Sequence, residues 1–109
     1  MDLTRNIVPT SAQAPRVARL TRHLKARLED FGPGGPEVVQ ADQATGTVRF
    51  RVPGKDSVWL QQQLGERWNI QIQVEDGLAV CRLGPDTPFE GLDRLWGCLF
   101  ELVGSAHKN

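Results

Sequence analysis

Charge of one sign is missing: 13 Lys and Arg balance 13 Asp and Glu across the 109 residues. Without a net field, nothing steers the chain to nucleic acid or to an anionic membrane. Cysteine is scarce. Cys81 and Cys98 lie in apolar contexts without CxxC spacing or a neighbouring histidine, which argues against a thiol metal or redox motif and for two buried, reduced thiols. No long hydrophobic run exists either. The opening MDLTRNIVPTSAQAP lacks the apolar stretch of a signal peptide, and no segment approaches the length of a membrane span. A cytoplasmic protein with no nucleic-acid or membrane partner is the expectation. What is present suffices for one core, since folding a chain of this length buries about 65% of its unfolded surface without disulfides or a metal.

Residues 1–14 show little periodicity and are expected to form a partly ordered N-terminal arm, ahead of a single domain over 15–104 and a tail over 105–109. Pro15 suits a first helical turn, and Val17, Leu20, Leu24 and Leu28 recur at three- and four-residue steps. The run Gly32-Pro33-Gly34-Gly35-Pro36 stops that helix. A short strand is expected around Val38 and Val39. A half-buried one follows over 47–52, where Val48, Phe50 and Val52 alternate with Arg49 and Arg51. Asp56 can cap a second helix that turns Leu60, Leu64 and Trp68 inward.

Ile70, Ile72 and Val74 alternate with Gln71 and Gln73, and Asp76-Gly77 then provides a two-residue hairpin turn. With those two residues in the turn, Glu75 lies opposite Leu78, Gln73 meets Val80 and Val74 faces Ala79. The same register brings Ile72 to Cys81, Gln71 to Arg82 and Ile70 to Leu83.

Thr87-Pro88-Phe89-Glu90 has the form of a capping box with proline at the first helical position. The helix expected over 88–103 carries Phe89, Leu92, Leu95, Trp96, Leu99, Phe100, Leu102 and Val103, more apolar surface than one stripe needs. Leu95, Trp96, Leu99 and Leu102 are therefore candidate interface residues for a homodimer or a partner protein. The order helix, strand, strand, helix, strand, strand, helix implies an α+β two-layer sandwich. In it, an antiparallel sheet of about four strands carries helices on one face.

Three stretches carry a further signal. Gly46-Thr47-Val48-Arg49-Phe50-Arg51-Val52 precedes Gly54 and Asp56; Trp68-Asn69-Ile70-Gln71-Ile72 forms the second. Ala79-Val80-Cys81-Arg82-Leu83 precedes Pro85-Asp86-Thr87, Glu90 and Leu92-Asp93-Arg94-Leu95. In order and spacing they resemble the small domain of class V aminotransferase-fold enzymes, including cysteine desulfurases and kynureninase-like proteins, from about Val17 to Val103. The resemblance implies that Arg82 occupies the position of an arginine that binds the substrate carboxylate. A guanidinium fork suits that role, and the register sets Gln71 beside it. Arg82 and Gln71 are thus a candidate site for a small carboxylate.

Much of the family pattern is missing. Its phosphate-binding loop, Schiff-base lysine and pyridine-binding aspartate belong to a preceding large domain that this chain has no room for, so no cofactor is expected. Lys25, Lys55 and Lys108 read as solvent-facing. The reactive-cysteine loop of desulfurases is replaced by the tight Glu75-Asp76-Gly77, and a tyrosine-asparagine pair by Pro85-Asp86.

The remaining features read as structural. The basic residues of the first helix spread over a polar arc, His23 and His107 make no metal pair, and the three tryptophans suit packing better than base stacking. Glu90 and Asp93 make only a surface acid pair. No catalytic set assembles, so no enzyme activity is expected of the chain alone. The expected role is a non-catalytic protein-interaction module dimerising through helix 88–103. The alternatives are a carboxylate or amino-acid sensor using Arg82, and a subunit acting in trans with a separate pyridoxal-phosphate-binding large domain.

Overall fold

Helix α1 (Ala14–Glu29) begins with Pro15 in its first turn and buries Val17, Leu20, Leu24 and Leu28, the stripe set by their spacing. The computed structural model describes residues 1–104, so the expected tail, with His107 and Lys108, lies outside the described residues. Strands β1 (Glu37–Asp42) and β2 (Thr47–Arg51) form an antiparallel pair, followed by α2 (Ser57–Trp68), β3 (Gln73–Glu75), β4 (Leu78–Arg82) and α3 (Phe89–Gly104). The sheet order is β1-β2-β4-β3, every adjacent pair is antiparallel, and the three helices lie on one face. This is the expected α+β sandwich.

The alternation in β2 and β4 decides which side is covered. Val48 and Phe50 face the helices with Ala79 and Cys81, and all four are fully buried with the leucines of α1, α2 and α3. A bulge between Val38 and Gln40 shifts the β1 register and leaves Val39 exposed on this edge strand. The Asp56 carboxylate accepts from Val58 N at 2.9 Å and caps α2. That helix ends on Asn69 in the left-handed region, and Ile70 N donates to Leu64 O at 3.0 Å.

The capping box expected ahead of α3 is not made. Thr87 Oγ1 accepts instead from Gly84 N at 2.9 Å, holding the turn that leads into the helix. Arg16 reaches the same turn, donating from Nε to Pro85 O at 2.7 Å and from Nη2 to Thr87 O at 3.1 Å. Part of the expected solvated arc of α1 is therefore structural.

The hairpin register holds at the turn: Glu75 pairs with Leu78, Val74 with Ala79 and Gln73 with Val80. Asp76 and Gly77 both take the positive φ that such a turn demands. Beyond Gln73 the expected pairing fails. Gln71 does not meet Arg82, nor does Ile72 pair with Cys81 or Ile70 with Leu83, because Met1–Leu3 enters between the strands. Gln71 N donates to Met1 O at 2.8 Å, Leu3 N to Gln71 O at 2.8 Å and Arg82 N to Leu3 O at 2.7 Å. Asp2 and Gln71 form a parallel bridge, and Leu3 is fully buried in the core. The segment expected as an arm outside the domain thus gives it a core residue.

Candidate functional site

Arg82 ends β4 on the sheet face away from the helices, opposite Thr47 of β2. Its guanidinium donates to Gln73 Oε1 and, at 3.2 Å, to Glu75 Oε2. Arg49 of β2 donates to the other oxygen of the same carboxylate at 2.7 Å, and to Gln40 Oε1 at 2.9 Å. Since β4 lies between β2 and β3, the Arg49–Glu75 bond crosses above it. Val80, which alternation places on this outer face, is fully buried beneath. The Arg49 hydrogen bond, aided by Arg82, holds the Glu75 carboxyl below its usual 4.5 despite some desolvation.

The candidate pair is not brought together. Gln71 lies across the inserted Asp2–Leu3 backbone, and its amide turns to Asn69 and Met1. Arg82 is only 15% exposed and already faces a carboxylate, that of Glu75. It does line a cleft of about 190 Å³ with Arg5, Asp2, Asp86 and Thr87. Among the described residues Arg5 and Asp86 make no ion pair. The Thr4 hydroxyl and amide lower the Asp2 carboxyl. Sequence reasoning missed Arg5 and Asp2, because a three-residue apolar-acid-apolar pattern at Met1-Asp2-Leu3 is too short to register as a strand.

The second candidate region lies on α3. Leu95, Leu99 and Leu102, expected at an interface, are buried within this chain. The reason is tertiary: α3 packs on α1 as well as closing the core over the sheet, so most of its apolar circumference is used internally. The helices are also tied by Asp93, which faces His23 Nε2 at 2.8 Å and accepts from Arg27 Nε at 2.9 Å. Those two bonds lower its carboxyl. The acid pair expected with Glu90 is thereby replaced.

Of the four expected interface residues, only Trp96 stays partly exposed, beside Phe100, which is 54% exposed. Trp96 and Phe100 stack with ring centroids 5.5 Å apart, and Phe31 stands 5.5 and 5.9 Å from them. Arg27 covers the Trp96 ring at 5.0 Å, while the enclosed indole Nε1 has no hydrogen-bond partner among the described residues. Beside this ridge is a small hollow of about 90 Å³, lined by Phe31, Pro33, Phe100 and Val103.

Other chemistry is not assembled. Burial pushes the Cys81 thiol up to about 12 and raises that of Cys98, the opposite of a nucleophilic thiolate. Lys25 pairs with Glu29 at 3.1 Å on the exposed arc of α1, and Lys55 lies over the Trp59 ring at 5.2 Å. Neither is buried, so neither fits the desolvated amine that an imine-forming cofactor requires. Among the described residues no three His, Cys, Asp or Glu side chains converge as metal ligands, and no helix is long and apolar enough to cross a membrane.

Comparison with known proteins sets this geometry in a fold. No family model matches the chain, and no curated protein does. Among solved structures it is similar to a NifS-like protein, with a TM-score of 0.74 and 16% identity over 86% of this chain. At that identity the likeness shows a shared fold. The match spans 29% of the NifS-like chain, so the domain corresponds to under a third of that protein.

Proposed function

We propose that this domain is a non-catalytic interaction module that pairs with a second copy of itself through the aromatic ridge of α3. The observation that carries the reading is Phe100, more than half exposed, stacked on Trp96 and adjoining an apolar hollow. A projecting ring next to a hollow is self-complementary: a twofold axis sets each ring against the other copy's hollow. The shared fold with part of a NifS-like protein supports a domain built to lie against other protein surface. The test is light scattering across a concentration series with Phe100→Ser alongside the unaltered chain. A concentration-dependent dimer abolished by Phe100→Ser is the expected result, and a monomer at millimolar concentration overturns the reading.

A second reading rests on the cleft beside Arg82, where Arg5, which makes no ion pair among the described residues, supplies a guanidinium for a small carboxylate. Its size, about 190 Å³, falls short of the roughly 300 Å³ at which ligand pockets begin. Glu75 also already neutralises Arg82. These two magnitudes place it second. Thermal shifts with simple carboxylates test it, with Arg5→Ala as the variant expected to lose any stabilisation.

A further inference from the structure

The β3–β4 hairpin opens at one end into a slot that the chain fills with its own Met1–Leu3. The slot has the parts of a peptide site. On one side Gln71 offers its N–H and C=O, and on the other Arg82 offers its N–H; all three bond to the segment's backbone at 2.7–2.8 Å. The Leu3 side chain fills a fully buried position in the core. The Met1 sulfur lies over Gly91 of α3, where an added Cβ would stand 2.5 Å away, so the absence of a side chain there makes room for Met1.

The filling segment is held unevenly. Residues 4–13 contain no helix or strand, Val8 is 85% exposed, and beyond the bonds of Thr4 to the Asp2 carboxylate the next tie is between Thr10 and Gln13 at the start of α1. The cleft of about 190 Å³ runs along the seam, with Arg5 and Ile7 on the arm side and Gly84, Asp86 and Pro88 on the domain side. Within the arm only Leu3 is fully buried; Thr4, Ile7 and Pro9 are half-buried and the other residues of 4–13 are exposed.

We propose that this slot is a peptide-binding site and that the arm is an intramolecular strap competing for it. The partner it fits is an extended segment of another protein with apolar side chains at its first and third positions, the third a leucine, added to the split hairpin as a strand. The arm itself is the template for that chemistry. A tether of this length holds the arm at an effective concentration of about millimolar order, so the strap suppresses outside peptides until it is weakened.

The probe is a fluorescent peptide with the sequence of residues 1–7, offered to the unaltered chain, to Leu3→Ser, and to Leu3→Ser combined with Gln71→Pro. The proline removes the N–H that meets Met1 O. Binding to Leu3→Ser at least about tenfold tighter than to the unaltered chain is expected, as is its loss with Gln71→Pro or when the peptide's leucine is replaced by aspartate. Absence of binding to folded Leu3→Ser overturns the proposal, as does equal binding of the aspartate peptide. If Leu3→Ser does not fold, native-state hydrogen exchange on the unaltered chain decides. The Leu3 and Arg82 amides are expected to exchange together well before those of Val48 and Phe50. Exchange of all four only on global unfolding overturns the strap.

Discussion

The two ends of the β3–β4 hairpin have similar alternating residues and fold differently. At the turn end, Asp76 and Gly77 bring Glu75, Val74 and Gln73 opposite Leu78, Ala79 and Val80. At the open end, Ile70 and Ile72 remain buried on the same side, but the backbone beside them belongs to Met1–Leu3. The difference teaches that alternation specifies a face and not a neighbour. Turn geometry sets register only near the turn, where closing the loop costs little entropy. Farther along, whichever segment supplies a buried side chain and backbone partners takes the place.

Four measurements break or sharpen this contrast. The largest effect is expected from Leu3→Ala, which removes a fully buried side chain from the open end and should destabilise the domain by about 2–5 kcal/mol in urea titration. A loss well under about 1 kcal/mol would show that the wedge is not part of the core. At the turn end, Gly77 sits at φ 76 with nothing within 4 Å of an added Cβ. Gly77→Ala therefore costs conformation only, about 1–2 kcal/mol, read by the same titration.

The third measurement concerns the outer face that spans both ends. Glu75 has its folded pKa depressed by Arg49 and Arg82, so its stabilising contribution is present above its unfolded value near 4.5 and lost as pH falls through the lower folded value. Glu75→Gln should remove that contribution. The stability gap between variant and parent should then be open at neutral pH and close as the pH falls below the unfolded value of 4.5 and on through the lower folded one. A gap that stays constant to low pH would remove the ion pairs from the account. Least affected is Val8→Ala, beyond the wedge and 85% exposed, where less than about 0.5 kcal/mol is expected. A larger loss would extend the packed arm past Leu3.

The same contrast separates the two candidate regions. Around Arg82 the sequence correctly places an arginine off the apolar face. It cannot show that Glu75, seven residues earlier, would accept from that arginine across the hairpin, or that Asp2–Leu3 would part it from Gln71. On α3 the apolar surplus is plain in the sequence, but which part faces outward is not. Leu95, Leu99 and Leu102 are as apolar as Phe100 and are consumed by contact with α1 and the sheet side of the core. Trp96 stays only partly covered, and Phe100 is left exposed.

By itself the sequence determined the element order, the buried faces of α1, α2, β2 and β4, and the tight turn at Asp76-Gly77. These follow from local periodicity and from backbone conformations that few residues tolerate. Only the tertiary structure decided that Met1–Leu3 splits the hairpin, that Arg82 is answered by Glu75, and that Phe100 is what α3 leaves uncovered. Each of these is a contest between distant segments for the same buried volume or the same hydrogen-bond partner. Periodicity along one segment carries no information about the outcome.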